Sequence, residues 1–281
     1  MNYKKALRKL TIKDNFMFGA VMLEEENCKR LLELILEIPI ARVEVIREKS
    51  IIYHPEYKGI RLDVYAKDEN NTRYNVEMQV LPQAGLAKRS RYYHSQIDME
   101  LLLSGENYES LPDSYVIFIC DFDPFGMKKY RYTFCHKCKE EKSLCMNDGN
   151  RSIFLSTCGE NEKEVPDSLV KFLKFVKADA AESTEDFADE FVEQLQKSVC
   201  QIKKSREMEE RYMMLWEMLE GKRAEGKAET ILEFLEEKGT VSKELKQKIM
   251  TQRNLTILKG YLKAAAQADS VEQFEKLIQD K

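Results

Sequence analysis

The chain has 281 residues, of which 33% are charged and 43% apolar, and it carries a formal net charge of −4 at pH 7. With a mean hydropathy of −0.52, this composition describes a soluble globular protein, and the net charge argues against a protein that coats nucleic acid by bulk charge. We expect a cytoplasmic protein without a membrane span, because no apolar run approaches the roughly 20 residues of a membrane helix and the N-terminus lacks the features of a secretory signal.

Helix signals fill the start of the chain. Asp14 precedes an apolar-periodic run and is placed to cap a helix, and a second run covers residues 27–38. The acidic residues 24–26 lie between these runs and are expected to form a solvated charged surface. The segment VEVIREKSIIYHP then predicts a strand, and His54 near its end is expected to be an ordinary loop histidine.

Two strand-like segments follow, RLDVYA and RYNVEMQV, joined by the turn-forming residues KDENNT. An antiparallel hairpin centred on Asn70 places Asp63 directly opposite Glu77, where Cβ atoms lie about 4.5–5.5 Å apart. Two carboxylates that close repel each other unless a proton or a cation lies between them, and oxygen ligands suit Mg²⁺ or Mn²⁺. Gln79 points from the same face. The hairpin therefore predicts a metal site, although paired acids also occur on solvated hairpin faces.

Residues 86–104 predict a helix with a basic and aromatic opening. Helical spacing puts Arg89, one of the two tyrosines and Gln96 on one face, which suits phosphate because Arg binds phosphate oxygens in a bidentate manner. A solvated basic face with tyrosines in the core is the alternative. The candidate DNA-binding residues are Lys88, Arg89, Arg91, Tyr92, Tyr93 and Gln96.

Strand signals continue to residue 157. Residues 114–120 form a nearly continuous apolar run, as expected for a strand buried on both faces, and 128–138 and 151–157 predict two more strands. Cys135 and Cys138 form a C-x2-C pair, but no second pair completes a zinc site. The seven cysteines are therefore expected to be ordinary reduced thiols.

Beyond Gly159 the sequence is helical throughout and strand signals vanish. The tract EGKRAEGKAE places Gly221 and Gly226 in helical sequence, where each costs about 1 kcal/mol relative to Ala. This tract predicts a hinge near 220–229. An apolar stripe before it needs a partner, either the chain itself or a second copy, and it consists of Met208, Tyr212, Leu215, Trp216 and Leu219.

Five segments carry a resemblance to a known family and occur in that family's order: TIKDNFMFGAVM, IRLDVYA, NVEMQV, KRSRYYHSQ and YVIFICDFDPFG. Together they resemble the PD-(D/E)XK nuclease superfamily and, within it, the bacterial Rpn family of recombination-promoting nucleases, also called PD-(D/E)XK family transposases. The resemblance implies a restriction-endonuclease-like α/β core over residues 1–160, with a central mixed sheet flanked by helices. An all-helical C-terminal region then covers residues 161–281.

The resemblance also implies a function. Asp63 and Glu77, with the backbone carbonyl of Met78, would hold Mg²⁺ or Mn²⁺ in a DNA endonuclease linked to recombination, mobile elements or phage defence. Gln79 stands where most relatives place Lys, and a neutral amide can orient water but leaves the general base open. A homodimer through the C-terminal helices would supply two active sites. The alternative is a non-catalytic module that binds DNA or recruits a partner.

Overall fold

The computed structural model describes residues 3–51 and 60–279, so His54 lies outside the described residues. The chain divides into two units. One is the α/β unit Lys5–Ser205, and the other is a helical unit that consists of Arg206–Lys281 and the start of the chain. Within the described ranges, no helix combines the length and the apolar character needed to cross a membrane.

A mixed sheet forms the centre of the α/β unit. Its strands are β1 (Val43–Ile51), β2 (Ile60–Asp68), β3 (Arg73–Gln79), β4 (Ser114–Cys120), β5 (Arg131–Phe134) and β6 (Asn150–Ser156). They lie in the order β1-β2-β3-β4-β6-β5, in which β3, β4 and β6 run parallel and the remaining pairs are antiparallel. The predicted central strand is β4, which is buried from Val116 to Cys120. The predicted fold class is confirmed.

Six helices accompany the sheet: α1 (Tyr3–Lys9), α2 (Asn15–Met22), α3 (Glu25–Leu36), α4 (Leu86–Leu101), α5 (Asp167–Lys177) and α6 (Glu190–Lys204). Asp14 caps α2 as predicted, since its Oδ1 accepts hydrogen bonds from the backbone N–H groups of Phe16 at 3.0 Å and Met17 at 3.4 Å. Helices α2 and α3 pack on the β1 side of the sheet, and α4 packs on β4.

The domain boundary predicted at residue 160 is corrected to residue 205, because α5 and α6 belong to the α/β unit. Both helices are amphipathic and pack on α3. A polar contact joins α6 to α3, where Ser198 Oγ donates to Glu24 Oε2 at 3.0 Å and accepts from Asn27 Nδ2 at 3.0 Å. Helical composition after Gly159 marked the end of the strands, and packing decided which unit the helices joined.

The helical unit contains α7 (Arg206–Glu236), α8 (Lys243–Thr251), α9 (Leu255–Gln267) and α10 (Val271–Gln279). The hinge predicted near 220–229 is wrong, because α7 continues unbroken through Gly221 and Gly226. Packing offsets the helical cost of these glycines, since Ala224 and Ala228 are fully buried in the core of the unit. The break in this region falls instead at Ser205, which ends α6 in an extended conformation.

Candidate active site

The β2–β3 hairpin brings Asp63 and Glu77 together. The observed register pairs Val64 with Val76 and Tyr65 with Asn75, so the next pair along the strands is Asp63 with Glu77. The backbone N–H of Asp63 donates to Glu77 Oε1 at 3.2 Å, and Met78 N–H donates to Asp63 Oδ2 at 3.4 Å. The register predicted from the sequence is confirmed, and each acid is held by the backbone of the opposite strand.

The turn of the hairpin is stabilised by its own side chains. Asp68 Oδ1 accepts from the backbone N–H groups of Asn70 and Thr72, both at 2.9 Å. Asn71 takes the left-handed conformation with φ 65°, which Asn tolerates better than most residues. Because loop geometry determines which residues face each other, this turn places the two acids on one face of the sheet.

Arg89 reaches from α4 into this acidic pair. Its Nη2 lies 2.5 Å from Glu77 Oε2, its Nη1 donates to Gln79 Oε1 at 3.1 Å, and its Nε donates to the Tyr93 hydroxyl at 2.6 Å. The guanidinium also stacks over the Phe118 ring at 5.5 Å. A residue predicted to contact DNA phosphate is thus the charge partner of Glu77 in this structure.

Burial disfavours the ionised form of Glu77. Its side chain is 1% exposed. Burial raises the pKa of Glu77 above its usual value, the charge of Asp63 raises it further, and Arg89 offsets these effects only in part. The Arg89 guanidinium therefore does not fully offset the effects of burial and of Asp63 on the ionised form of Glu77.

The donor set of the pair fits a hard divalent cation. Asp63 and Glu77 supply carboxylate oxygens from adjacent strands, and the Met78 carbonyl is a further oxygen beside them in sequence. Residues 3–51 and 60–279 contain no cluster of three or more His, Cys, Asp or Glu side chains. Mg²⁺ needs no such cluster, because it commonly keeps several waters and binds proteins through one or two carboxylates.

The remaining candidate DNA-binding residues separate by exposure. Lys88 and Arg91 are exposed and Tyr92 is half-buried. Tyr93 and Gln96 are only 5% and 7% exposed, because α4 turns them toward the sheet, and we remove them from the residues expected to touch DNA. The sequence did not single out Gln83, whose Oε1 accepts from Arg89 at 3.2 Å. Its position in the loop after β3 gave no periodic signal.

A family model described as PD-(D/E)XK nuclease family transposase matches residues 13–229 of the chain. The match covers the hairpin, Arg89 and most of α7, and it agrees with the resemblance found in the sequence. No curated protein matches the chain, and no solved structure matches it.

We predict that Glu77→Gln stabilises the protein while removing one of the acids. Below its unfolded pKa of about 4.3, a carboxyl whose pKa is raised on folding does not lower the free energy of unfolding. As pH rises from there through the folded pKa, the free energy of unfolding falls, and it levels off above the folded pKa. At pH 8 in EDTA, thermal unfolding should show the variant more stable by on the order of 1 kcal/mol. The gain should shrink toward pH 5.

Glu160→Gln provides the matched control, because Glu160 is 65% exposed and pairs with Lys128 at the surface. It should give no gain that depends on pH in this way. A Glu77→Gln variant less stable than wild type at pH 8 would show that the Arg89 contact outweighs burial and repulsion.

Proposed function

The chain belongs to the PD-(D/E)XK nuclease family transposases, and from this premise we propose that it is a metal-dependent DNA endonuclease that hydrolyses phosphodiester bonds. Family membership supports a nuclease-type hydrolase. The observation that carries the finer proposal is the Asp63–Glu77 pair, in which a buried carboxylate with a raised pKa faces a second acid. Such a pair lowers the stability of the folded protein, and binding a cation between the acids is a function that accounts for it.

In the proposed mechanism Asp63 and Glu77, with the Met78 carbonyl, hold Mg²⁺ or Mn²⁺. The ion, when bound, lowers the pKa of a water molecule and offsets negative charge on the scissile phosphate. Gln79 accepts a hydrogen bond at its Oε1 and can orient the attacking water in the same way. Arg89, whose guanidinium lies at Glu77 and Gln79, would be placed to donate to a phosphate oxygen of the bound strand.

The exposed cations of α4 supply the local basic surface that a chain with net charge −4 needs for DNA. Lys88 and Arg91 are exposed on the first turns of the helix that carries Arg89. We propose that they contact phosphates of the strand lying at the acidic pair. A role in recombination, mobile-element biology or phage defence, in the cytoplasm, is part of the same proposal.

A non-catalytic module that binds DNA or recruits a partner is the second candidate. Two observations favour it: Gln79 cannot act as a cationic group, and Arg89 already neutralises part of the charge of Glu77. A chain that only binds DNA would need no cation at Asp63 and Glu77. Cleavage in the presence and absence of metal therefore separates the two functions.

We predict that the purified protein nicks supercoiled plasmid with Mg²⁺ or Mn²⁺ and is silent in EDTA. Asp63→Ala and Glu77→Ala should each lower cleavage by roughly a hundredfold or more, about 3 kcal/mol of transition-state stabilisation, because each removes an oxygen ligand. Gel analysis of nicked and linear product measures the effect. Asp167→Ala is the control, because its carboxylate lies at the surface and pairs with Lys171. Full cleavage by either acid variant would place the active site elsewhere.

Lys88→Ala and Arg91→Ala test the phosphate contacts. Each should weaken DNA binding about equally across sequences and reduce the slope of log affinity against log salt by about one unit. Titration of a labelled duplex at several salt concentrations, in EDTA, measures both. Lys163→Ala is the control, since Lys163 is exposed in a different segment. Unchanged slopes in both variants would assign these cations to a solvated face.

We also propose a homodimer through the C-terminal helices. Within the predicted stripe, Tyr212 is buried and its ring lies 6.2 Å from that of Trp216, whereas Leu219 is 40% exposed. Elsewhere on α7, Met214 is 68% and Met218 is 47% exposed. A second copy packing there would remove these side chains from water.

Light scattering should therefore give twice the chain mass for the full-length protein. Met214→Lys combined with Met218→Lys should give a monomer, because charge is disfavoured in an apolar interface. Met146→Lys, at a methionine that is 72% exposed in the α/β unit, should remain dimeric. A monomeric wild-type protein would contradict this assignment and leave the acidic site unaffected.

A further inference from the structure

A cavity of about 400 Å³ lies between α4 and strands β5 and β6. Its volume falls within the ~300–1,000 Å³ typical of small-ligand sites. Helix α4 packs on β4, so Arg89 reaches across one side to β3 while Ser90 reaches across the other to β6. The cavity is therefore separate from the acidic pair, although its wall includes Arg91, one of the two cations proposed to contact phosphate.

Three aromatic rings form the apolar part of the cavity. Phe154 is buried beneath it, and the rings of Phe125 and Phe134 lie 5.1 and 5.7 Å from that of Phe154, both edge-on. Phe125 and Phe134 are nevertheless 37% and 47% exposed. Aromatic rings left open to solvent beside a cavity present flat faces on which a planar ring can stack.

A chain of hydrogen bonds forms the polar part. Ser114 Oγ donates to Asn150 Oδ1 at 2.7 Å, so its single proton is used and it accepts from His94 Nδ1 at 2.7 Å. Burial lowers the pKa of His94 to about 4, which leaves the imidazole neutral at pH 7. His94 Nε2 is then an acceptor for Ser152 Oγ at 3.2 Å, and Ser90 Oγ donates to Ser152 at 2.7 Å.

This order of donation determines what the cavity offers to a ligand. The hydroxyl protons of Ser90 and Ser152 point along the chain, so these oxygens present lone pairs, while the amide nitrogen of Asn150 presents N–H groups. An acceptor beside a donor complements the edge of an unpaired base, because each of the four bases places an N–H donor beside an acceptor atom. The neutral chain does not suit a phosphate group.

The position of the cavity relates it to the acidic pair. Glu77, Phe118 and Phe154 lie in one row across the adjacent strands β3, β4 and β6. Two interstrand spacings put the cavity floor about 10 Å from Glu77, on the other side of α4, which packs on β4 between them. Arg91 lies at the cavity on the same helix and can hold the phosphate of a nucleotide whose base enters.

We propose that this cavity binds one unpaired base of the DNA strand held at the acidic pair. The rings of Phe125 and Phe134, which lie 5.0 Å apart and are tilted by 53°, contact the base, and Ser152 and Asn150 hydrogen-bond to its edge. The inference rests on the proposed function, since it takes the ligand to be the DNA that lies at Asp63 and Glu77. A strand with an extrahelical base would therefore bind better than a fully paired one.

The test uses the full-length protein in EDTA, so that binding is measured without cutting. Fluorescence anisotropy compares a paired duplex with the same duplex carrying one bulged adenine or one bulged thymine. We expect each bulged duplex to bind about tenfold more tightly than the paired duplex. Phe134→Ala and, separately, Phe125→Ala should remove most of this preference, and Ser152→Ala should weaken it.

Leu144→Ala is the control, because Leu144 is 56% exposed between β5 and β6 but does not line the cavity. It should keep the full preference, and melting temperatures should show every variant folded. Equal binding of bulged and paired duplexes by wild type would overturn the proposal, and so would an unchanged preference in both phenylalanine variants. Free dAMP that binds as tightly as the bulged duplex would overturn the assignment to a DNA strand.

Plasmid nicking with Mg²⁺ separates this inference from the proposed function. If the protein nicks DNA but binds bulged and paired duplexes equally, the proposed active site is supported and the base-binding cavity is contradicted. If the protein never nicks DNA, yet Phe134→Ala removes its preference for the bulge, the cavity is supported and the nuclease assignment is contradicted.

Discussion

The repulsion between Asp63 and Glu77 is the constraint on which the rest of the site depends. Backbone N–H groups of the opposite strand hold the two acids side by side, and burial denies Glu77 the water that would screen its charge. The Arg89 guanidinium offsets part of this effect on Glu77. Glu77 therefore keeps a raised pKa in a well-packed place, an arrangement that serves binding better than stability.

Helix α4 carries Arg89 and contacts the strands on both sides of β4. Because it lies over β4, successive residues reach different strands: Arg89 contacts Glu77 on β3, and Ser90 contacts Ser152 on β6. The stacked rings of Phe118 and Phe154, 5.2 Å apart, form a continuous layer beneath the helix. The acidic pair and the aromatic cavity therefore share one rigid support, which keeps their separation constant.

The fold was predictable wherever a sequence pattern depended on a single local element. Alternation in the hairpin determined its register, a continuous apolar run identified β4, and the polar residue before an apolar helix identified the Asp14 cap. The errors arose where packing overrides local preference. Gly221 and Gly226 lie in an unbroken helix because neighbouring alanines are buried, and a change of composition at Gly159 did not reveal that α5 and α6 belong to the α/β unit.

The sequence by itself determined that Asp63, Glu77 and Gln79 share a face, because strand periodicity and turn length are local properties of the chain. Tertiary structure alone decided that Arg89 pairs with Glu77, that Tyr93 and Gln96 turn inward, and that His94 joins serines of β4 and β6. The physical reason is that helical spacing defines faces but not their neighbours. Which face meets the sheet depends on apolar burial summed over residues far apart in the chain.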